Sequence, residues 1–221
     1  MFWKGPVFTK DGFVDQTINL ENCEIDSDFK DGEDGIIIPL LRNCHTHLGD
    51  TLARDSLPKD LTLEELVGPS GWKHEWLEKN DVEKSIVAGI KEIINSGTGL
   101  ILDFREGGKK GLEVFDNIEY PGTSILLGRP KNGDKLPGKN AGISSISDVP
   151  NAAEIVADVR ERGGLVGIHH SENEREEIDD ILELNPDFVV HMCHASDSDL
   201  ERVKKAGISI VVCPRSNKYF G

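Results

Sequence analysis

Residues 80–104, "NDVEKSIVAGIKEIINSGTGLILDF", pass from a helix pattern to a strand pattern within one stretch. Val82, Ile86, Ile90, Ile93 and Ile94 recur at helical spacing and mark the apolar face of a helix over 80–95. Asn80 or Asp81 can cap its start, since a short polar side chain there satisfies a free N–H of the first turn. "SGTG" then stops the helix, because glycine tolerates the left-handed backbone of a C-terminus. The apolar run "TGLILDF" (98–104) reads as a strand buried on both faces. That is the mark of a parallel sheet covered by helices.

The same rhythm extends in both directions from this stretch. Apolar runs predict strands at 36–41, 98–104, 123–128, 141–147, 164–170, 187–193 and 208–214. Amphipathic segments predict helices at 62–67, 109–118, 150–162, 174–184 and 197–206. Alternation of this kind means an α/β domain with a parallel sheet inside and helices outside. Residues 1–35 differ: short apolar runs separated by Gly and Asp read as a few short strands, a small β appendage before a domain over 36–221. Seven strands fall one short of a closed eight-stranded barrel, whereas an open doubly wound sheet needs no such count. Glycine-rich dinucleotide and P-loop patterns are absent, and "FREGGKKG" (104–111) reads as a flexible βα loop.

Composition narrows the function classes. Across 221 residues, 25 Lys and Arg face 40 Asp and Glu, a net charge of −15. That argues against nucleic acid, whose binding rests on neutralising phosphates, but leaves a single nucleobase or nucleoside possible. No apolar run has membrane length and no signal pattern opens the chain, so the expectation is a cytoplasmic protein without membrane contact. Cysteines 23, 44, 193 and 213 lack knuckle spacing, which excludes a disulfide scaffold or zinc finger; those at 44, 193 and 213 read as small buried fillers.

Polar residues gather at the C-terminal ends of the predicted strands. "LLRNCHTHLGD" (40–50) carries His45 and His47, the next strand ends in Asp103 and Arg105, and later strands end in "HHSE" (169–172), "HMCHAS" (191–196) and "CPRSN" (213–217). Six of the seven histidines fall in this set, and strand ends of a parallel sheet share one side. Residues i and i+2 of a strand face the same way, so His45 and His47 can reach one ion, with His169 and His191 best placed to join them. Glu172 either carries a proton beside the site or simply begins the next, acidic helix. His170 reads as a packing residue, and His194 as a group beside a substrate. Ser216 or Asn217 can cap the segment after Pro214.

Taken in order, these pieces resemble the amidohydrolase superfamily, within it the metal-dependent deaminases of nucleobases and related compounds. "IIIPLLRNCHTHLGD" (36–50) is similar to the opening HxH strand, "GIKEIINSGTGLILDF" (89–104) to the next helix and strand, "GIHHSE" (167–172) to the HxxE strand, "VVHMCHAS" (189–196) to the sixth strand and "GISIVVCPRSNKYFG" (207–221) to the CPxSN strand. The resemblance covers nearly the whole chain. It implies a (β/α)8 TIM-type barrel, incomplete here at seven strands, with part of a small β-sandwich at the N-terminus. It also implies metal ligation by His45, His47 and His169, proton transfer by Glu172, and orientation of water and leaving group by His191. His194, Ser216 and Asn217 would line the substrate.

The implied cofactor is one divalent ion, zinc by preference and iron second. No strand-end lysine is available for a carboxylated-lysine dinuclear centre. The family's last ligand, an aspartate after an eighth strand, is expected beyond Gly221. "GISSISDVPN" (142–151) stands where adenosine-type relatives carry a GPHxPY motif, which points away from an adenosine-type substrate. The expected reaction is hydrolytic deamination of a small aromatic heterocyclic amine, a purine, pyrimidine or related compound, with water as co-substrate. The resemblance is also compatible with a homodimer. Another amidohydrolase reaction at a C–N or C–Cl bond, or an inactive metal-binding homologue, are the alternatives.

Overall fold

The computed structural model describes residues 2–22, 24–25, 33–130 and 138–220, and the chain divides into two compact units, Met1–Leu41 and Arg42–Gly221. The first unit holds one four-stranded sheet of β1 (Phe2–Thr9), β2 (Gly12–Asn19), β3 (Glu24–Ile25) and β4 (Glu33–Asp34), in the order β3-β2-β1-β4. Strands β1 and β2 form an antiparallel hairpin, with Phe8 resting on Phe13 at 5.1 Å. Cys23 and residues 26–32, part of the short-strand stretch, lie outside the described residues.

The strand expected at 36–41 is placed differently. Ile37 makes a single bridge to Val7, through Phe8 N–H to the Ile37 carbonyl at 2.9 Å, while Ile36, Ile38 and Leu40 are exposed. Pro39 has no N–H to offer a ladder, so the run cannot continue as an inner strand. The barrel instead begins with the more polar "LRNCHT" of β5 (Leu41–Thr46).

In the second unit, β5 is followed by β6 (Thr98–Arg105), β7 (Thr123–Gly128), β8 (Asn140–Ile143), β9 (Val166–His170), β10 (Phe188–His191) and β11 (Ser209–Val211). These strands lie side by side in chain order and curl into a nearly closed parallel barrel of TIM type, with seven strands among the described residues. Around them run α1 (Leu63–Val67), α2 (Trp72–Lys79), α3 (Val82–Asn95), α4 (Gly108–Glu113), α5 (Ala152–Glu161), α6 (Ile178–Leu184), α7 (Asp197–Ala206) and α8 (Pro214–Phe220). The expected α/β architecture is therefore present. Among the described residues, no helix is long and apolar enough to cross a membrane.

Apolar burial explains the layering. Ile86, Ile90 and Ile93 of α3 pack with Ile101 and Leu48, and Val159, Ile181 and Val203 pack with Val166, Ile168 and Val189. The barrel interior is filled by Leu102, Phe104, Leu127, Phe188 and Val190. Gly167 makes room for this filling, since a Cβ there would sit 2.3 Å from the Phe188 ring.

Several boundaries shift from expectation for local reasons. Asp81 is the α3 cap, accepting from Lys84 N–H at 3.1 Å, and Ile94 turns out of the core at 42% exposed. The segment expected as helix 109–118 splits into α4 and a 3-10 turn, Val114–Asn117, and α6 starts only at Ile178. Helix α2 was not foreseen, and α8 replaces the end of the last expected strand because Pro214 fits a first helical turn. Ile86→Ala should lower unfolding free energy by about 2–5 kcal/mol in urea titration, through lost burial and the cavity left behind. Ile94→Ala should change it by less than about 0.5 kcal/mol.

Candidate active site

The strand ends bring the histidines together. His45, His169 and His191 each offer one ring nitrogen, and these atoms lie within 4.8 Å of one another. His47 stands beside them, its ring centre 4.8 Å from that of His45 and 5.6 Å from that of His169. The chain reaches this arrangement through backbone that side chains rarely adopt: Ser171, His191 and Met192 have φ of 50°, 77° and 57°. Bonds from Met192 N to His170 O at 3.0 Å and from His194 N to Ser171 O at 3.1 Å hold these turns.

The ring nitrogens sort into anchored and free. His47 Nδ1 meets Glu106 Oε1, His169 Nδ1 the Ile143 carbonyl, and His191 Nδ1 Asn217 Oδ1, each at 2.9 Å. Each contact commits Nδ1 and leaves Nε2 for another partner. Among the described residues, His45 Nδ1 is buried without any hydrogen-bond partner. Burial, then the neighbouring imidazoles, hold the His45 pKa well below the usual value; burial, then His47 and Arg129, do the same to His169; burial, then Lys73, lower His47. The neutral imidazoles of His47 and His169 with Nδ1 anchored, together with the orphaned nitrogen of His45, are a donor set that fits a divalent metal.

Glu172 reaches the same group. Its Oε2 lies 3.3 Å from His191 Nε2, and burial raises its pKa against the pull of His191. With His191 Nδ1 donating to Asn217, a contact between Nε2 and a carboxylate oxygen needs one proton, carried by either partner.

Behind the histidines lies a charged network. Asp103 Oδ1 accepts from Leu48 N at 2.7 Å and Thr46 Oγ1 at 2.9 Å, while Oδ2 pairs with Arg105 at 3.0 Å. Asp103 and Arg105 are both fully buried. Burial pushes the Asp103 carboxyl up to about 6 against the pull of Arg105, still low enough for an ion pair at neutral pH. Lys73, on α2, pairs with Asp50 at 2.8 Å and with Glu106 at 2.7 Å. Burial opposes its charge, but the two carboxylates outweigh burial and raise its pKa. Glu106 is likewise opposed by burial, yet Lys73, His47 and Arg129 hold it well below the usual carboxylate range.

A cavity of about 500 Å³ opens over the histidines. Of the residues singled out from sequence, His45, His47, His169, His170, Glu172, His191 and Ser216 line it. Asn217 instead holds His191, and His194 is exposed and outside the lining. His170 is buried, bonded to Ser171 Oγ at 2.9 Å. Cys213 lines the cavity, its thiol pushed up to about 11 by burial and by Glu172. Cys193 is exposed rather than buried, because the left-handed turn at His191 and Met192 precedes it.

Lys73, Glu106 and Arg129 were not foreseen. The one local signal was the charge alternation Asp103, Arg105, Glu106 at a strand end; nothing around Lys73 marks it. Asp103→Ala should lower unfolding free energy by about 3–5 kcal/mol in urea titration, since it leaves Arg105 buried without its partner.

Comparison with known proteins adds the family. The chain is 34% identical over 227 residues to a protein of Archaeoglobus fulgidus provisionally assigned as an aminohydrolase, covering 99% of this chain and 67% of the relative. A 5-methylthioadenosine/S-adenosylhomocysteine deaminase of Haloarcula marismortui is 25% identical, over 85% of this chain and 52% of its own length. Guanine deaminase from C. acetobutylicum shares the fold with a TM-score of 0.63 at 17% identity, covering 100% of this chain and 69% of that one. No family model matches the chain. The chain thus spans between about half and two thirds of the length of these curated relatives. By its 34% identity over nearly its whole length to that aminohydrolase-type relative, the chain belongs to the amidohydrolase superfamily, in the aminohydrolase and deaminase branch of carbon–nitrogen hydrolases.

Proposed function

We propose that the protein is a metal-dependent hydrolase that removes the amino group of a small aromatic heterocycle of the nucleobase or nucleoside class. The observation that carries this reading is the meeting, at one cavity, of His47 and His169 with Nδ1 committed and Nε2 left over, the buried His45 and the His191–Glu172 pair. The Haloarcula and C. acetobutylicum deaminases support the class of substrate. His45, His47 and His169 would hold one divalent ion, with zinc the first candidate. A bound divalent ion supplies Lewis acidity and lowers the pKa of a water molecule.

The remaining chemistry falls to side chains. Water adds at the ring carbon that bears the amine, and ammonia leaves from it. Glu172 carries one proton of the water to the adjacent ring nitrogen and the second, from the added hydroxyl, to the departing nitrogen, leaving a ring carbonyl; a pKa raised by burial suits a group that must hold and release a proton. His191, held through Nδ1 by Asn217, shares one proton with Glu172 at its Nε2 and faces the developing negative charge. Ser144, Ser145 and Asp148 line the cavity and offer polar contacts to the edge of a heterocycle.

Metal analysis of the purified protein, with ammonia release measured across purine, pyrimidine and nucleoside amines, tests the reading. His169→Ala should lose the metal. Glu172→Gln should keep the metal while kcat falls by roughly 10²–10⁴-fold. Undiminished ammonia release by Glu172→Gln would remove the role assigned to it, and metal-loaded protein inert toward every such amine would sink the proposed reaction.

A further inference from the structure

Two proton placements compete at His47 Nδ1. It can donate to Glu106 Oε1 at 2.9 Å, or accept from Lys73 Nζ at 3.2 Å. In the second case two acceptor lone pairs, one on a carboxylate, would face each other at 2.9 Å with no proton between them. A buried setting screens that repulsion poorly. Lys73 also has nearer acceptors, Glu106 Oε1 at 2.7 Å and Asp50 Oδ2 at 2.8 Å. The first placement wins.

We propose that Glu106 is the positioning residue of His47: it accepts the Nδ1 proton and leaves Nε2 as the nitrogen presented to a metal. The assignment rests on the reading of His47 as a metal ligand. Lys73 at 2.7 Å and Arg129 at 3.1 Å fix Oε1, and Arg105 at 3.0 Å fixes Oε2. The backbone of His47 is held separately, because Asp103 Oδ1 accepts from Thr46 and Leu48 on either side of it. Strand β6 and the residue just past it thus fix both the main chain and the ring. His169 and His191 anchor Nδ1 on neutral carbonyl oxygens, whereas His47 uses a carboxylate.

The test is long-range proton–nitrogen NMR on chelator-treated, nitrogen-labelled protein, with the His47 signals assigned by their loss in His47→Ala. The wild type should carry its His47 proton on Nδ1. Glu106→Gln should move population to the Nε2-protonated tautomer and weaken zinc binding by roughly 10–100-fold in competition with a chelator. A Glu106 with a purely structural role would lower the unfolding midpoint and leave both readouts unchanged, overturning the assignment. An Nε2-bound proton in the wild type overturns it too, and that measurement stands even if Glu106→Gln fails to fold. Zinc binding unchanged in His47→Ala would instead overturn the ligand reading, while the wild-type tautomer still judges Glu106 by itself.

Discussion

A carboxylate with no exposed surface, Asp103, is the point on which the site hangs. A buried charge must be paired and hydrogen-bonded, or its loss of hydration costs more than the fold can bear. Asp103 meets that demand with the Arg105 guanidinium, the Leu48 N–H and the Thr46 hydroxyl. Two of those partners flank His47, so satisfying the carboxylate dictates where the histidine-bearing segment runs. Gly49 permits the close approach: a Cβ there would lie 2.1 Å from Arg105 Nη2. From Arg105 the ion pairs continue through Glu106 to Lys73 and Arg129. Three cations, Lys73, Arg105 and Arg129, thereby balance three carboxylates, Asp50, Asp103 and Glu106, beneath the cavity.

That balance shapes what the cavity can do. The ion-paired Glu106 leaves the His47 ring little freedom to turn, and the Ile143 carbonyl and Asn217 do the same for His169 and His191, so these groups are preorganised. The left-handed residues at the ends of β9 and β10 serve the same purpose, each costing on the order of 1 kcal/mol that surrounding bonds must offset. The scaffold around them is ordinary: apolar strands inside, helices outside, rings of Phe104 and Phe188 filling the barrel.

How much of this was legible depended on the range of each interaction. The alternation of strands and helices was plain because burial repeats along the chain, and α3 shows it: Ile86, Ile90 and Ile93 face the core as their spacing demands. Spacing misjudged Ile94, which sits at the edge of that face and turns to solvent. It also misjudged "IIIPLL", where hydrophobicity suggested an inner strand but Pro39 and tertiary context made the polar "LRNCHT" the barrel strand. The histidines could be found because each ends a strand. Lys73, Glu106 and Arg129 could not, being far apart along the chain and joined solely by folding. A lysine in an unforeseen helix and a glutamate in a glycine-rich loop each look like solvated charge until the barrel closes over them.

The three anchored Nδ1 atoms carry a thermodynamic meaning. Their acceptors come from separate parts of the chain: the end of β8 for His169, the residue after β6 for His47, and α8 for His191. No local segment can pre-form this set of nitrogens, so it exists in the assembled barrel and is lost on unfolding. A ligand that takes those nitrogens selects the native state, and its binding free energy becomes folding free energy, growing as RT ln(1 + [L]/Kd). Catalytic readiness and resistance to unfolding are in that sense one equilibrium.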